Sequence, residues 1–206
     1  MIPLHLELKQ GLDELSIDYS EKQLDQLIAL LEQLLKWNNA YNLTAITDPK
    51  QALVLHLLDS LAVVPHIKQK NIIDVGCGAG FPGLPLAIML PEAKFSLLDS
   101  NSKKIRFIRQ LAHQLSLVNV TPIHARVETH HDKYEAVISR AFASLADMTQ
   151  LTKHLLSDSG VWLAMKGVYS NEEVKGLPHP IKQANLYQLD VPQLDGERCL
   201  VVLTPN

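Results

Sequence analysis

Cysteine is scarce in this chain. Only Cys77 and Cys199 occur among 206 residues, and neither belongs to a Cys-x-x-Cys pair. A disulfide framework is thereby excluded, and a reducing compartment is expected. Long apolar runs are lacking too. None approaches the roughly 18 residues of a membrane span. The opening "MIPLHLELKQ" has neither a basic segment nor an unbroken apolar one, so a cytoplasmic location with no membrane partner is expected. Basic residues are not in excess, with 19 Lys and Arg against 22 Asp and Glu. That balance excludes a protein that coats nucleic acid indiscriminately and leaves open a local basic face. The histidines, including the adjacent pair His130 and His131, show no metal-ligand spacing, and no metal is expected. Internal repeats and low-complexity tracts are absent.

What remains is ordinary globular composition, 47% hydrophobic and 20% charged, enough for one α/β domain with a sizeable core. From Ser20 to Trp37, Leu24, Leu27, Ile28, Leu31, Leu34 and Leu35 recur at spacings of three and four, the period of one helix face, with Ser20 as N-cap. A second helical pattern runs from Pro49 to Val64. After Pro65 the texture changes to short apolar runs alternating with amphipathic segments. The strand candidates are "NIIDV", "KFSLLD", "NVTPIH", "EAVIS", "GVWLAMK", "ANLYQLDV" and "RCLVVLT", with helices expected over 102–117 and 144–156. Strand and helix in alternation predict a mostly parallel sheet with right-handed crossovers. Two regions follow, a helical one over 1–65 packed on an α/β one over 66–206. Ligands of such sheets sit at the carboxyl ends of the strands, so the loops after Val75, Leu98, His124, Ser139 and Lys166 carry the expected site.

The first of these loops is the most distinctive. Asp74-Val75 leads into Gly76-Cys77-Gly78-Ala79-Gly80-Phe81-Pro82-Gly83. Glycine lets a ligand approach the backbone itself, and the start of the following helix attracts negative charge. Gly78, Gly80 and Gly83 fit the dinucleotide fingerprint, a weak signal by itself. An acid two residues before Gly76 instead resembles motif I of S-adenosylmethionine (AdoMet) methyltransferases, in which Asp74 can accept from a cationic amine or a water beside it. Asp99, with Ser100 next to it, ends the second strand, where an acid can accept from both hydroxyls of a ribose. Both cofactors contain a ribose, so a nicotinamide oxidoreductase stays open at this point. Cys77 is read as a loop filler rather than a nucleophile.

Four stretches together go further: "WNNAYNLTAITD", "HLLDSLAVVP", "DVGCGAGFPGLPLAI" and "VISRAFASL". They make the chain similar to the RsmG (GidB) family, guanine-N7 methyltransferases of bacterial small-subunit ribosomal RNA. The resemblance extends over nearly the whole chain, including "LDGERCLVV". It implies a Rossmann-like AdoMet-dependent methyltransferase fold with a mostly parallel seven-stranded sheet and an N-terminal helical extension. It implies AdoMet as cofactor and 16S ribosomal RNA of the small ribosomal subunit as partner. Two positions depart from the family's habit: Leu55, where a basic residue often stands, and Cys77, where Ser or Thr is common. By motif, Gly76 and Phe81 line the cofactor, Val127 and Glu128 in "HARVE" read the adenine edge, and Arg140 in "ISRAFAS" matches a cofactor-binding position at the active-site end. A non-catalytic RNA-binding module is the other reading.

For the RNA, Lys103, Lys104, Arg106 and Arg109 fall on or beside the polar face of the helix that follows the ribose-binding strand, with Lys166 and Arg198 as further contacts. Asn42, with Asn38, Trp37 and Tyr41, can meet an unstacked base, although the two aromatics can equally pack against the sheet. His56 and Asp59 lie three apart on one helix face. Guanine N7 carries a lone pair and no proton, so its methylation requires no general base. Asp59 is the candidate to stabilise the positive charge that develops on the ring, or else simply fixes His56. No Asn-Pro-Pro-Tyr-like segment and no Pro-Cys pair occur, which points away from exocyclic amines and from cytosine C5. A monomer is expected.

Overall fold

The structure is a computed structural model that describes residues 3–142, 144–178 and 180–205. Two helices come first, α1 (Leu4–Glu14) and α2 (Glu21–Tyr41). At the start of α2, Ser20 Oγ accepts from the Gln23 N–H and Gln23 Oε1 accepts from the Ser20 N–H. This reciprocal cap satisfies two donors that the helix leaves unpaired. The apolar stripe read from the sequence is buried at Leu24, Leu27, Leu31 and Leu34. Each fully buried leucine contributes about 1.5–3 kcal/mol.

The second helical pattern is interrupted. It is α over Pro49–Ala52 (α3), opens into a π-helical turn over Leu53–Leu58 and returns to α over Asp59–Leu61 (α4). All but Leu55 of the π turn is buried.

The sheet follows: β1 (Asn71–Val75), β2 (Lys94–Asp99), β3 (Val120–His124), β4 (Tyr134–Ser139), β5 (Leu156–Lys166), β6 (Ile181–Gln188) and β7 (Cys199–Pro205). All seven expected strands are present, with β5 starting earlier and β6 lying a few residues earlier than the sequence pattern suggested. The order is β3-β2-β1-β4-β5-β7-β6. β1 to β5 pair in parallel, while β7 runs antiparallel between β5 and β6. Helices α5 (Gly83–Met89), α6 (Ser102–Gln114), α7 (Leu145–Thr152) and α8 (Asn171–Lys175) connect them.

Alternate residues of a strand face opposite sides. Ile72 accordingly belongs to one apolar cluster and Ile73 to another. The first cluster holds Leu8, Leu24 and Leu31 of the N-terminal helices together with Leu84, Leu97 and Ile108, so the helical region and the sheet share one core. Gln23 Nε2 donates to Ile88 O at 3.0 Å and Gln26 Nε2 to Leu115 O at 2.8 Å, fixing α2 across the ends of α5 and α6. Trp37 packs edge-on against Phe107, 5.5 Å between ring centres, and tilted on Tyr41. Of its two readings, packing is the one the structure displays.

Candidate active site at the carboxyl edge of the sheet

Three cavities adjoin at the carboxyl edge of the parallel strands. One, of about 260 Å³, lies between Asp99, Ser100, Val127 and Glu128. A second, of about 200 Å³, lies between the glycine loop, Thr44, His56 and Arg140. The third, of about 430 Å³, is lined by His56, Asp59, Arg140, Lys166 and Arg198 with apolar neighbours. Gly76 and Ala141 border the first two, His56 and Arg140 the last two, and Phe142 the first and third. The residues just after each expected strand end, Gly76, Asp99, Ala125, Arg140 and Gly167, all line this cleft. Ala143, in the fourth sequence block, lies outside the described residues.

The glycines divide their labour. Gly78 has φ +59°, and a side chain there would meet only Lys104 Nζ, at 3.9 Å, so the backbone stays open to a ligand. Gly83 answers to space instead, because a Cβ would lie 2.6 Å from Leu97 Cδ2 and 2.9 Å from Asp74 Oδ2. Asp74 is not at the loop surface, where an acid could meet an amine. It is fully buried, and its Oδ2 accepts from the Gly83 N–H at 2.8 Å, tying the end of β1 to the start of α5. Its Oδ1 has no partner, and burial pushes the carboxyl up to about 7. Asp99 does stand at the surface. Its Oδ2 accepts from Gly78 N–H at 2.9 Å and its Oδ1 from Asn101 N–H at 2.8 Å, which orients both oxygens beside the glycine loop and leaves lone pairs for a ligand. Cys77 is buried, and burial holds its thiol well above the ordinary range, as a filler's would be.

His56 and Asp59 do not meet. Both line the third cavity, but their polar groups take different partners. His56 Nε2 pairs instead with Thr44 Oγ1 at 3.0 Å, and its ring stacks on Phe81 with centroids 4.7 Å apart. Burial, helped by the Arg140 charge, pushes the imidazole down to about 4, so it is neutral at pH 7. Asp59, only 3% exposed, accepts from Arg140 Nη1 and Arg198 Nε, both at 2.9 Å. Arg140 Nη1 also donates to Leu55 O at 2.8 Å. Lys166 pairs with Glu173 at 3.0 Å. The arginines and Lys166, read from the sequence as separate contacts, thus form one wall.

Lys103, Arg106 and Arg109 are exposed along α6, and Lys104 turns toward the glycine loop. Asn42 caps α2 in the left-handed conformation and is exposed. Among the described residues, no three His, Cys, Asp or Glu side chains gather as a metal site, and no helix is long and apolar enough to cross a membrane. The sequence reading missed Thr44, which sits in a quoted block but resembles any loop threonine. It also missed His154, whose Nε2 lies 3.1 Å from Val127 O and 3.0 Å from His130 O.

A family model described as rRNA small subunit methyltransferase G matches residues 23–201. A protein of Alteromonas mediterranea named ribosomal RNA small subunit methyltransferase G is 50% identical over 202 residues, which cover 97% of this chain and 96% of that one. One of the same name from Ectopseudomonas mendocina is 48% identical over 201 residues, 96% of this chain and 94% of that. Among solved structures, a SAM-dependent methyltransferase from Aquifex aeolicus aligns with TM-score 0.58 at 17% identity, covering 76% of this chain and 93% of that one. Coclaurine N-methyltransferase bound to N-methylheliamine and SAH aligns with TM-score 0.57 at 16% identity, over 91% and 74%. These last two are likenesses of fold.

Proposed function

The chain belongs to the rRNA small subunit methyltransferase G family, and on that premise we propose that it moves the methyl group of AdoMet to N7 of one guanine in 16S ribosomal RNA. Family membership replaces the oxidoreductase and the non-catalytic RNA-binding module as readings. The observation that carries the assignment is the run of three adjoining cavities, wide enough together for a nucleoside cofactor and a flipped-out base.

Their residues suit AdoMet. Asp99 and Ser100 hold the ribose, Val127 and Glu128 meet the adenine edge, and the open backbone of Gly76 and Gly78, with Phe81 beside it, takes the methionine end, whereas Gly80, expected at the cofactor, packs inward against Leu84 and Ile108. Asp74 acts from below by fixing the loop. Arg140 borders both the cofactor and the acceptor cavity. When bound, AdoMet supplies a methyl group made electrophilic by its sulfonium. Lys103, Lys104, Arg106 and Arg109 give α6 a phosphate-facing surface, and the exposed Asn42 at the end of α2 is a further RNA contact. The protein is read as a cytoplasmic monomer that uses no metal.

No general base is required for such a transfer, and neither titratable group expected near the acceptor is placed to act as one. Asp59 has both oxygens engaged by guanidinium groups, and the His56 imidazole, pushed down to about 4, is a weak base whose Nε2 is committed to Thr44 and whose Nδ1 is buried. An acceptor that arrives already deprotonated, such as guanine N7, fits a site of this kind. Alignment and desolvation can supply about 7–11 kcal/mol of the barrier. The test is to methylate small-subunit RNA with the purified protein, digest it to nucleosides and identify the product by mass spectrometry. We expect 7-methylguanosine. N6-methyladenosine or 5-methylcytidine would end this reading of the acceptor.

A further inference from the structure

The third cavity has walls of two kinds. One is apolar, made by Ile46, Leu55, Phe142, Met165 and Leu189, and the other carries Arg140, Arg198 and Lys166. Behind the second wall sits Asp59, with one oxygen on each arginine. Arg140 comes from the end of β4 and Arg198 from the start of β7, so a single buried carboxylate fixes two guanidinium groups from separate strands. Each guanidinium has five N–H donors. Arg140 spends Nη1 on Asp59 and Leu55 O, and Arg198 spends Nε on Asp59 and Nη1 on Glu197 O. Their remaining donors have no protein partner among the described residues, and the two side chains keep 27% and 28% of their exposure.

Two guanidinium charges against one carboxylate leave a net positive wall, while Lys166 is matched by Glu173. Planar N–H forks of this kind suit an oxyanion. Two oxyanions are within reach of the chemistry: a phosphodiester of the RNA and the carboxylate of the cofactor's methionine. Arg140 borders both cavities, but Arg198 lines only the third. We infer that this cavity seats a phosphodiester of the substrate strand on Arg198 and Arg140, and that Asp59 is the positioning residue that holds both arginines in one geometry. The inference rests on the reading of the chain as an rRNA methyltransferase.

Simple electrostatics and positioning predict opposite outcomes for Asp59→Asn. Removing a negative charge from a surface that meets RNA should tighten binding, whereas losing the common anchor should weaken it. We expect kcat/KM for small-subunit RNA to fall about ten- to a hundredfold, as for misplacement of a reacting partner, and the same fall in Arg198→Gln with AdoMet affinity by calorimetry within about twofold, since Arg198 lines only the third cavity. Arg198→Gln should lower the slope of log K against log salt for RNA by about 0.7, the share of one phosphate on a single strand. The double variant should be no slower than the slower single one, because both changes break one unit. If Asp59→Asn fails to fold, Arg198→Gln and Arg198→Lys carry the test, with lysine keeping the charge but losing the fork. An Asp59→Asn protein as active as wild type, or an unchanged salt slope in Arg198→Gln, would overturn the inference. Loss of AdoMet affinity in Arg198→Gln would assign the oxyanion to the cofactor and overturn it too. Wild-type protein that moves no methyl group to any ribosomal RNA would overturn the underlying reading, and that is seen before any variant is made.

Discussion

Burial shifts Asp74 and His56 in opposite directions. Asp74 is raised from 3.8 to about 7, and His56 is lowered from 6.5 to about 4. A raised carboxyl binds its proton more firmly in the folded state, so its contribution to stability is full below pH 3.8 and is lost as pH rises through about 7. A lowered imidazole works the other way, contributing fully above pH 6.5 and losing that contribution as pH falls through about 4. Between those limits the two slopes oppose each other. From pH 6.5 to 8 only the Asp74 slope of the pair remains, worth about 1 kcal/mol. Thermal melts at pH 6.5 and pH 8 should therefore show the wild type losing stability relative to Asp74→Asn as pH rises. Parallel curves for the two proteins would show that Asp74 is ionised throughout. Nothing in the sequence announced this behaviour. "DVG" shows an acid ahead of glycine, and only the folded chain, which brings Gly83 at the start of α5 against the carboxylate, takes water from it.

At the scale of elements, the 3₁₀ turn Val127–Thr129 carries the backbone proposed to meet adenine. Both acceptors of His154 Nε2 are carbonyls, one at the first residue of that turn and one just past its end, so the nitrogen must carry its proton and donate. His154→Ala should weaken AdoMet binding about three- to tenfold, in line with a lost hydrogen bond of about 1 kcal/mol, with kcat little changed. His154→Gln, whose amide can donate from nearly the same place, should restore it. Calorimetry decides: equal losses in both variants would mean that ring packing, not the hydrogen bonds, holds the turn. The helices show where sequence periodicity stops being informative. α2 and α6 were readable because each has one wet face and one dry face. "LVLHLL" is buried nearly all round, so no missing stripe betrays a change from 3.6 to about 4.4 residues per turn. The π turn over Leu53–Leu58 was therefore invisible in the sequence.

For the whole molecule, the texture change near Pro65 separates helical from α/β sequence, but the core crosses it. Leu8, Leu24 and Leu31 lie in one cluster with Ile72, Leu97 and Ile108. Deleting residues 1–48 should therefore expose a broad apolar face and leave an aggregating or dye-binding chain rather than a folded domain, as anilinonaphthalene sulfonate fluorescence and gel filtration can report. A soluble, cooperatively melting fragment would show that the sheet region is an independent domain. The sequence by itself determined which segments become strands, that β1 ends in a glycine loop and that an acid ends β2, because periodicity and glycine placement are local properties. Only the tertiary structure decided the acceptor cavity. β7 enters antiparallel beside β5, pairing Cys199 with Lys166. The residue before β7 therefore reaches the edge where the parallel strands end, and Arg198 comes to share Asp59 with Arg140. Strand direction is set by which pairing buries the most apolar surface while completing the backbone hydrogen bonds, a contest among distant segments that no local stretch of sequence records.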